Sequence, residues 1–107
     1  MSKQRILVVD DSPTVVNMLS LILEEQGYEV VSASDGLEAI ETFYQQRPDL
    51  VVLDVVMPKM NGYQVCRLLK DDPQVRETPV IILTNEDQPK DKFWGLQVGA
   101  DDYLTKG

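Results

Sequence analysis

Histidine is absent from this chain, and cysteine occurs once, at Cys66. The first absence excludes a phosphohistidine donor, a histidine-based zinc site and any Ser-His-Asp relay. The second excludes an internal disulfide, which agrees with a reducing compartment. No run of eighteen apolar residues is present, so no membrane-spanning helix is expected. The opening Met-Ser-Lys-Gln-Arg leads into an apolar run too short for a secretory signal, which makes the cytoplasm the expected location. Basic residues are also scarce: 10 Lys and Arg stand against 18 Asp and Glu, for a net charge of −8. That balance argues against direct nucleic-acid binding, which needs basic patches to neutralise phosphates.

What is present suits one compact domain spanning residues 1–107. The chain is too short for two domains, and 43% hydrophobic content is enough for a packed core. Apolar runs recur at regular spacing: 6–9, 30–33, 50–53, 80–83 and 103–105. Four are short, mostly β-branched and without polar alternation, as expected of parallel strands buried on both faces.

Helical periods fill the gaps. Ser12-Pro13 reads as an N-cap followed by a first-turn proline, Val15, Val16, Leu19, Ile22 and Leu23 form an apolar stripe, and Gly27 suits the C′ position. Asp35-Gly36 opens a second helix with Ile40, Phe43 and Tyr44 on one face, stopping before Pro48. Asn61 caps a third, bearing Tyr63, Val65, Leu68 and Leu69, with Cys66 as a buried spacer. Asp87 caps a fourth, with Phe93, Leu96 and Val98, ended by Gly99. The pattern is βαβαβαβαβ, an α/β doubly wound domain.

The polar residues of interest follow the predicted strands. Asp10 and Asp11 follow the first, Asp54 closes the third, Thr84 closes the fourth and Lys106 follows the fifth. In a parallel α/β sheet the carboxyl ends share one edge, where ligands bind, so residues from position 10 to 106 converge. Three carboxylates brought together repel unless a cation neutralises them. Oxygen donors without His or Cys favour Mg²⁺. Asp54 is then placed to attack phosphorus, with Thr84 and Lys106 available to phosphoryl oxygens. Singly, each residue has a plainer reading: Asp10-Asp11 as a turn and first-turn acids, Thr84 as a strand-end threonine, Lys106 as a surface lysine. A carboxylate ending an apolar strand, as Asp54 does, is costly without partners.

The segments Ile-Leu-Val-Val-Asp10-Asp11-Ser, Val-Val-Leu-Asp54-Val-Val-Met-Pro58-Lys-Met-Asn-Gly62, Ile-Leu-Thr84 and Gly99-Ala-Asp-Asp-Tyr103-Leu-Thr-Lys106 resemble the receiver domains of bacterial two-component response regulators, including the single-domain chemotaxis and pilus-motility type. The resemblance covers essentially the whole chain. It implies a flavodoxin-like five-stranded parallel sheet in the order 2-1-3-4-5. It also implies a phosphoacceptor switch that catalyses only its own phosphorylation and dephosphorylation.

By that resemblance Asp54 takes the phosphoryl group from a sensor histidine kinase or a histidine phosphotransfer protein. Asp11 ligates Mg²⁺ directly and Asp10 through water, Asp54 shares the ion, and the Val56 carbonyl completes the protein ligands. Thr84 and Lys106 contact phosphoryl oxygens, and Thr84 and Tyr103 switch a surface read by a downstream protein target. The alternative is a pseudo-receiver, a protein-interaction module of the same fold working without phosphorylation. A phosphohydrolase with an aspartyl nucleophile typically carries a second acid two residues on, where this chain has Val56.

Three features depart from the family pattern. Asn85 replaces the usual small residue after Thr84. Gly107 replaces the usual proline after Lys106, so a trans bond is expected, because cis without proline costs about 2.5–4 kcal/mol. The last helix is missing or truncated, which is expected to leave an apolar patch exposed and to drive self-association or partner binding.

Overall fold

The computed structural model describes residues 3–54, 62–84 and 101–105. Strands β1 (Arg5–Val9), β2 (Glu29–Ala33), β3 (Leu50–Asp54), β4 (Val80–Thr84) and β5 (Asp102–Thr105) alternate with helices α1 (Pro13–Glu25), α2 (Gly36–Gln46) and α3 (Gly62–Asp71). All pairings are parallel, and the strands lie in the order β2-β1-β3-β4-β5. The fold is thus the flavodoxin-like α/β type with a parallel sheet. The segments expected to hold the Asn61 cap and the fourth helix, 85–100, lie outside the described residues, as do Asn85 and Gly107.

Local chemistry explains the helix ends. Ser12 has extended backbone and its Oγ accepts from Val15 N–H at 3.4 Å, while Pro13 needs no hydrogen bond in the first turn. Gly27, one residue beyond the Gln26 C-cap, has φ of +95°, a conformation that side chains disfavour. The start of α2 is held twice. Asp35 Oδ1 accepts from Glu38 N–H at 2.8 Å, and Glu38 Oε1 accepts from Ser34 N–H at 3.0 Å. This variant of the capping box, closing on the residue before the cap, went unread in the sequence, although the Asp-x-x-Glu spacing signals it. Arg47 ends α2 in the left-handed region, with φ of 46°.

Strand period 2 sorts the core. Leu7, Val9, Val51, Leu53, Val80 and Ile82 pack with Ala39 and Phe43 of α2 and Val65, Cys66 and Leu69 of α3. Burial pushes the Cys66 thiol up to about 11, consistent with a structural spacer and not a reactive thiolate. Alternate positions lie on the other face of the sheet: Ile6 and Val8 are buried, whereas Leu50, Val52, Ile81 and Leu83 are only half-buried.

Several sequence expectations need correction here. β2 is an edge strand with only Ala33 buried, so its apolar run does not mark burial on both faces. No residue of α1 is buried, and Ile22, expected on its inner stripe, is 51% exposed together with Met18 and Leu21. Leu68 and Tyr44 are likewise exposed, on the outer flanks of α3 and α2. Periodicity identifies an apolar side of a helix, but how much of that side is covered depends on neighbours distant in sequence.

Candidate metal and phosphoryl site

The register of β1 against β3 assembles the acids. Val9 pairs with Leu53, so the next residues, Asp10 and Asp54, lie side by side at the carboxyl edge. Asp10 extends the β1–β2 ladder by one step, its N–H donating to the Ala33 carbonyl at 3.2 Å. Its Oδ1 accepts from Ser12 N–H at 2.9 Å. That short turn leads the chain into α1 and sets Asp11 at the rim.

Carboxylate oxygens of Asp10, Asp11 and Asp54 all lie within 4.8 Å of one another. Asp10 and Asp54 are 3% and 8% exposed, while Asp11 is open to solvent. Two ionised carboxylates at this separation repel by about 3–4 kcal/mol at an effective dielectric of ~20. A cation bound among them would relieve that repulsion. The donor set is all oxygen, and the chain has no histidine to offer. Hard divalent ions such as Mg²⁺ suit it, since they bind few carboxylates and keep several waters. One exposed acid beside two buried ones leaves the site open on its solvent side, as a metal that must also meet a substrate requires.

A shallow cavity of about 220 Å³ adjoins the acids and is lined by Asp10, Asp11, Pro13, Asn17, Ser34 and Glu38, among others. It continues the acidic rim toward the starts of α1 and α2.

The remaining expected site residues sit as follows. Thr84 is the last residue of β4, one step beyond Leu83, which pairs with Asp54. Thr84 pairs in turn with Thr105, and Tyr103 is the second residue of β5, paired with Ile82. Val56 and Lys106 lie outside the described residues, although Lys106 directly follows Thr105. Backbone topology therefore brings Asp10, Asp11, Asp54 and Thr84 to one edge of the sheet.

At the opposite edge lies a polar junction that the sequence reading missed. Lys70 of α3 donates to the Arg76 carbonyl at 3.0 Å, the Thr78 carbonyl at 2.8 Å and Asp101 Oδ2 at 2.6 Å. Asp101 Oδ2 also accepts from Val80 N–H at 2.8 Å. Burial opposes ionisation of Asp101, but the hydrogen bonds from Lys70 and Val80 and the Lys70 charge outweigh it, holding the carboxyl below its usual range. A second missed contact ties α2 to the turn after α3, where Tyr44 Oη donates to Asp72 Oδ2 at 2.6 Å.

Comparison with known proteins gives this arrangement a family. The family model for the response regulator receiver domain matches residues 6–107. Protein PilH of Pseudomonas aeruginosa is 47% identical over 102 residues, which cover 95% of this chain and 84% of that protein. The alkaline phosphatase synthesis transcriptional regulatory protein PhoP of Bacillus subtilis is also 47% identical, over 96% of this chain but only 42% of its own length. The solved structure of the chemotaxis response regulator CheY4 of Vibrio cholerae superposes with a TM-score of 0.92 at 37% identity, covering 98% of this chain and 88% of that one. With its parallel sheet, its acid cluster at the carboxyl edge and these matches along nearly its whole length, the chain belongs to the response regulator receiver domain family.

Proposed function

We propose that Asp54 accepts a phosphoryl group from a phosphohistidine on a sensor histidine kinase or histidine phosphotransfer protein, and that the modified domain signals to a downstream protein target. The observation that carries this reading is the gathering of three carboxylates, two of them buried, within 4.8 Å. A divalent cation bound among them would relieve their mutual repulsion.

Asp10, Asp11 and Asp54 would hold Mg²⁺, with the Val56 carbonyl as a further ligand. When bound, the ion supplies positive charge against the phosphoryl oxygens and the attacking carboxylate. The residues of the chain do the rest. One Asp54 oxygen attacks phosphorus, the P–N bond to the donor imidazole breaks, and the imidazole leaves with its electron pair and takes up a proton. The Thr84 hydroxyl and the Lys106 ammonium would each bind a phosphoryl oxygen. Phosphorylation then biases two packings of Thr84 and Tyr103, which changes the surface presented to the target. In this reading the domain is a switch and turns over no other substrate.

The pseudo-receiver alternative gains no specific observation, since the full acid set is assembled. A net charge of −8 favours protein partners over nucleic acid, and no described helix is long and apolar enough to cross a membrane. The test is incubation with Mg²⁺ and phosphoramidate or acetyl phosphate. Wild-type protein should be labelled, and both Asp54→Asn and removal of Mg²⁺ by EDTA should abolish labelling. Full labelling of Asp54→Asn would remove the proposed acceptor.

A further inference from the structure

We propose that Lys70 and Asp101 are positioning residues for the phosphoryl site: their junction fixes β5 along β4, and so sets where the chain leaves the sheet with Lys106. This rests on the reading of Asp54 as acceptor and Lys106 as phosphoryl contact.

The Lys70 side chain is only 14% exposed, unusual for a lysine. An ammonium has three protons, and here three acceptors take them: the Arg76 and Thr78 carbonyls and Asp101 Oδ2. These acceptors come from the turn after α3 and from the entry to β5. Asp101 in turn grips the first residue of β4 twice, accepting from Val80 N–H through Oδ2 at 2.8 Å and donating its own N–H to the Val80 carbonyl at 2.9 Å. One charged group therefore ties the end of α3 and the starts of β4 and β5 into a single knot. The base of Lys70 is itself anchored by Leu69, which is 2% exposed in the core.

The knot matters because it sits at the entry to β5. This is a four-residue strand at the edge of the sheet, paired among the described strands with β4 alone. A slip of one residue moves such a strand by about 3.3 Å and exchanges its faces. Asp101 precedes this strand and Lys106 follows it, so an axial error at one end is transmitted to the other. A displacement of about 1 Å at a reacting centre can cost up to about a hundredfold in rate. The acids stand at the carboxyl ends of β1 and β3, whereas the knot meets β3 only at its start, through the pairing of Val80 with Val51, so metal binding and phosphoryl transfer should separate.

The experiment compares wild type, Lys70→Met and Asp101→Asn. The first keeps the aliphatic stem without the charge, and the second keeps an acceptor for Val80 N–H. Three quantities are measured: amide hydrogen exchange by NMR, Mg²⁺ affinity by calorimetry, and labelling rate with phosphoramidate at saturating Mg²⁺. Both variants should exchange the amides of 102–105 at least tenfold faster while β1 and β3 are unchanged. The labelling rate should fall about tenfold, with the Mg²⁺ dissociation constant within twofold of wild type. A wild-type labelling rate despite faster exchange in β5 would overturn the proposal, as would Mg²⁺ affinity falling in step with the rate, the mark of general destabilisation. If Lys70→Met fails to fold, Asp101→Asn decides alone. Absence of labelling in wild type itself would defeat the acceptor reading instead, and unchanged exchange in 102–105 would still refute the knot independently.

Discussion

Asp54→Asn should stabilise the metal-free domain while abolishing its response to Mg²⁺. Asp54 has carboxylate oxygens of Asp10 and Asp11 within 4.8 Å. The pair with buried Asp10 alone is worth about 3–4 kcal/mol of repulsion at an effective dielectric of ~20. Exposure of Asp11 screens its share, and reorganisation at Asp54 takes some back, leaving a net gain of about 2 kcal/mol. Asparagine is nearly isosteric, retains one acceptor oxygen and adds donors that can meet Asp10. For 107 residues, each kcal/mol moves the unfolding midpoint by about 4–5 °C, so an increase of about 8–10 °C is expected.

The assay is thermal unfolding by circular dichroism in EDTA at low ionic strength, repeated with Mg²⁺. Ligand binding at a hundredfold excess over its dissociation constant stabilises by about 2.7 kcal/mol. Wild type should therefore overtake the variant when Mg²⁺ reaches that level. Added monovalent salt should narrow the EDTA gap. A variant less stable than wild type in EDTA, or a gap indifferent to Mg²⁺, would refute the electrostatic reasoning.

Other expectations concern the scaffold. Gly27→Ala should cost about 1–2 kcal/mol by urea unfolding, wholly from the φ of +95°, because an added Cβ meets nothing within 4 Å. A cost much above this would mean a packing clash that the local space does not provide. Phe43→Ala should cost about 3–5 kcal/mol, since Phe43 is 1% exposed between α2 and the sheet. Asp101 has a depressed carboxyl pKa, so its stabilisation is complete above the unfolded value near ~3.9 and is lost as pH falls through the lower folded value. Lys70→Met should therefore flatten the acid limb of the stability profile below about pH 4, and an unchanged limb would dissociate the pair.

The order of the described elements and the acid edge were legible from local signals. Ser12-Pro13, Gly27 and Asp35 announce helix ends through backbone chemistry that acts within a few residues. Asp10, Asp11, Asp54 and Thr84 were legible because strand ends in a parallel sheet share an edge, so a one-dimensional pattern maps onto a place. Solvent coverage was not. Whether Ile22 or Leu68 is covered depends on elements far away in the chain, and both lie exposed. Nor was the junction of Lys70 with Asp101, 31 positions apart, because one lysine among ten Lys and Arg has no local mark of burial.

By itself, then, the sequence determined which side chains could perform chemistry and the strand ends that carry them, since both follow from residue type and period. Only the tertiary structure decided that three carboxylates share a space small enough to hold a cation. It also decided which lysine is drawn into the fold, because distance between remote residues is set by the register and packing of the whole sheet.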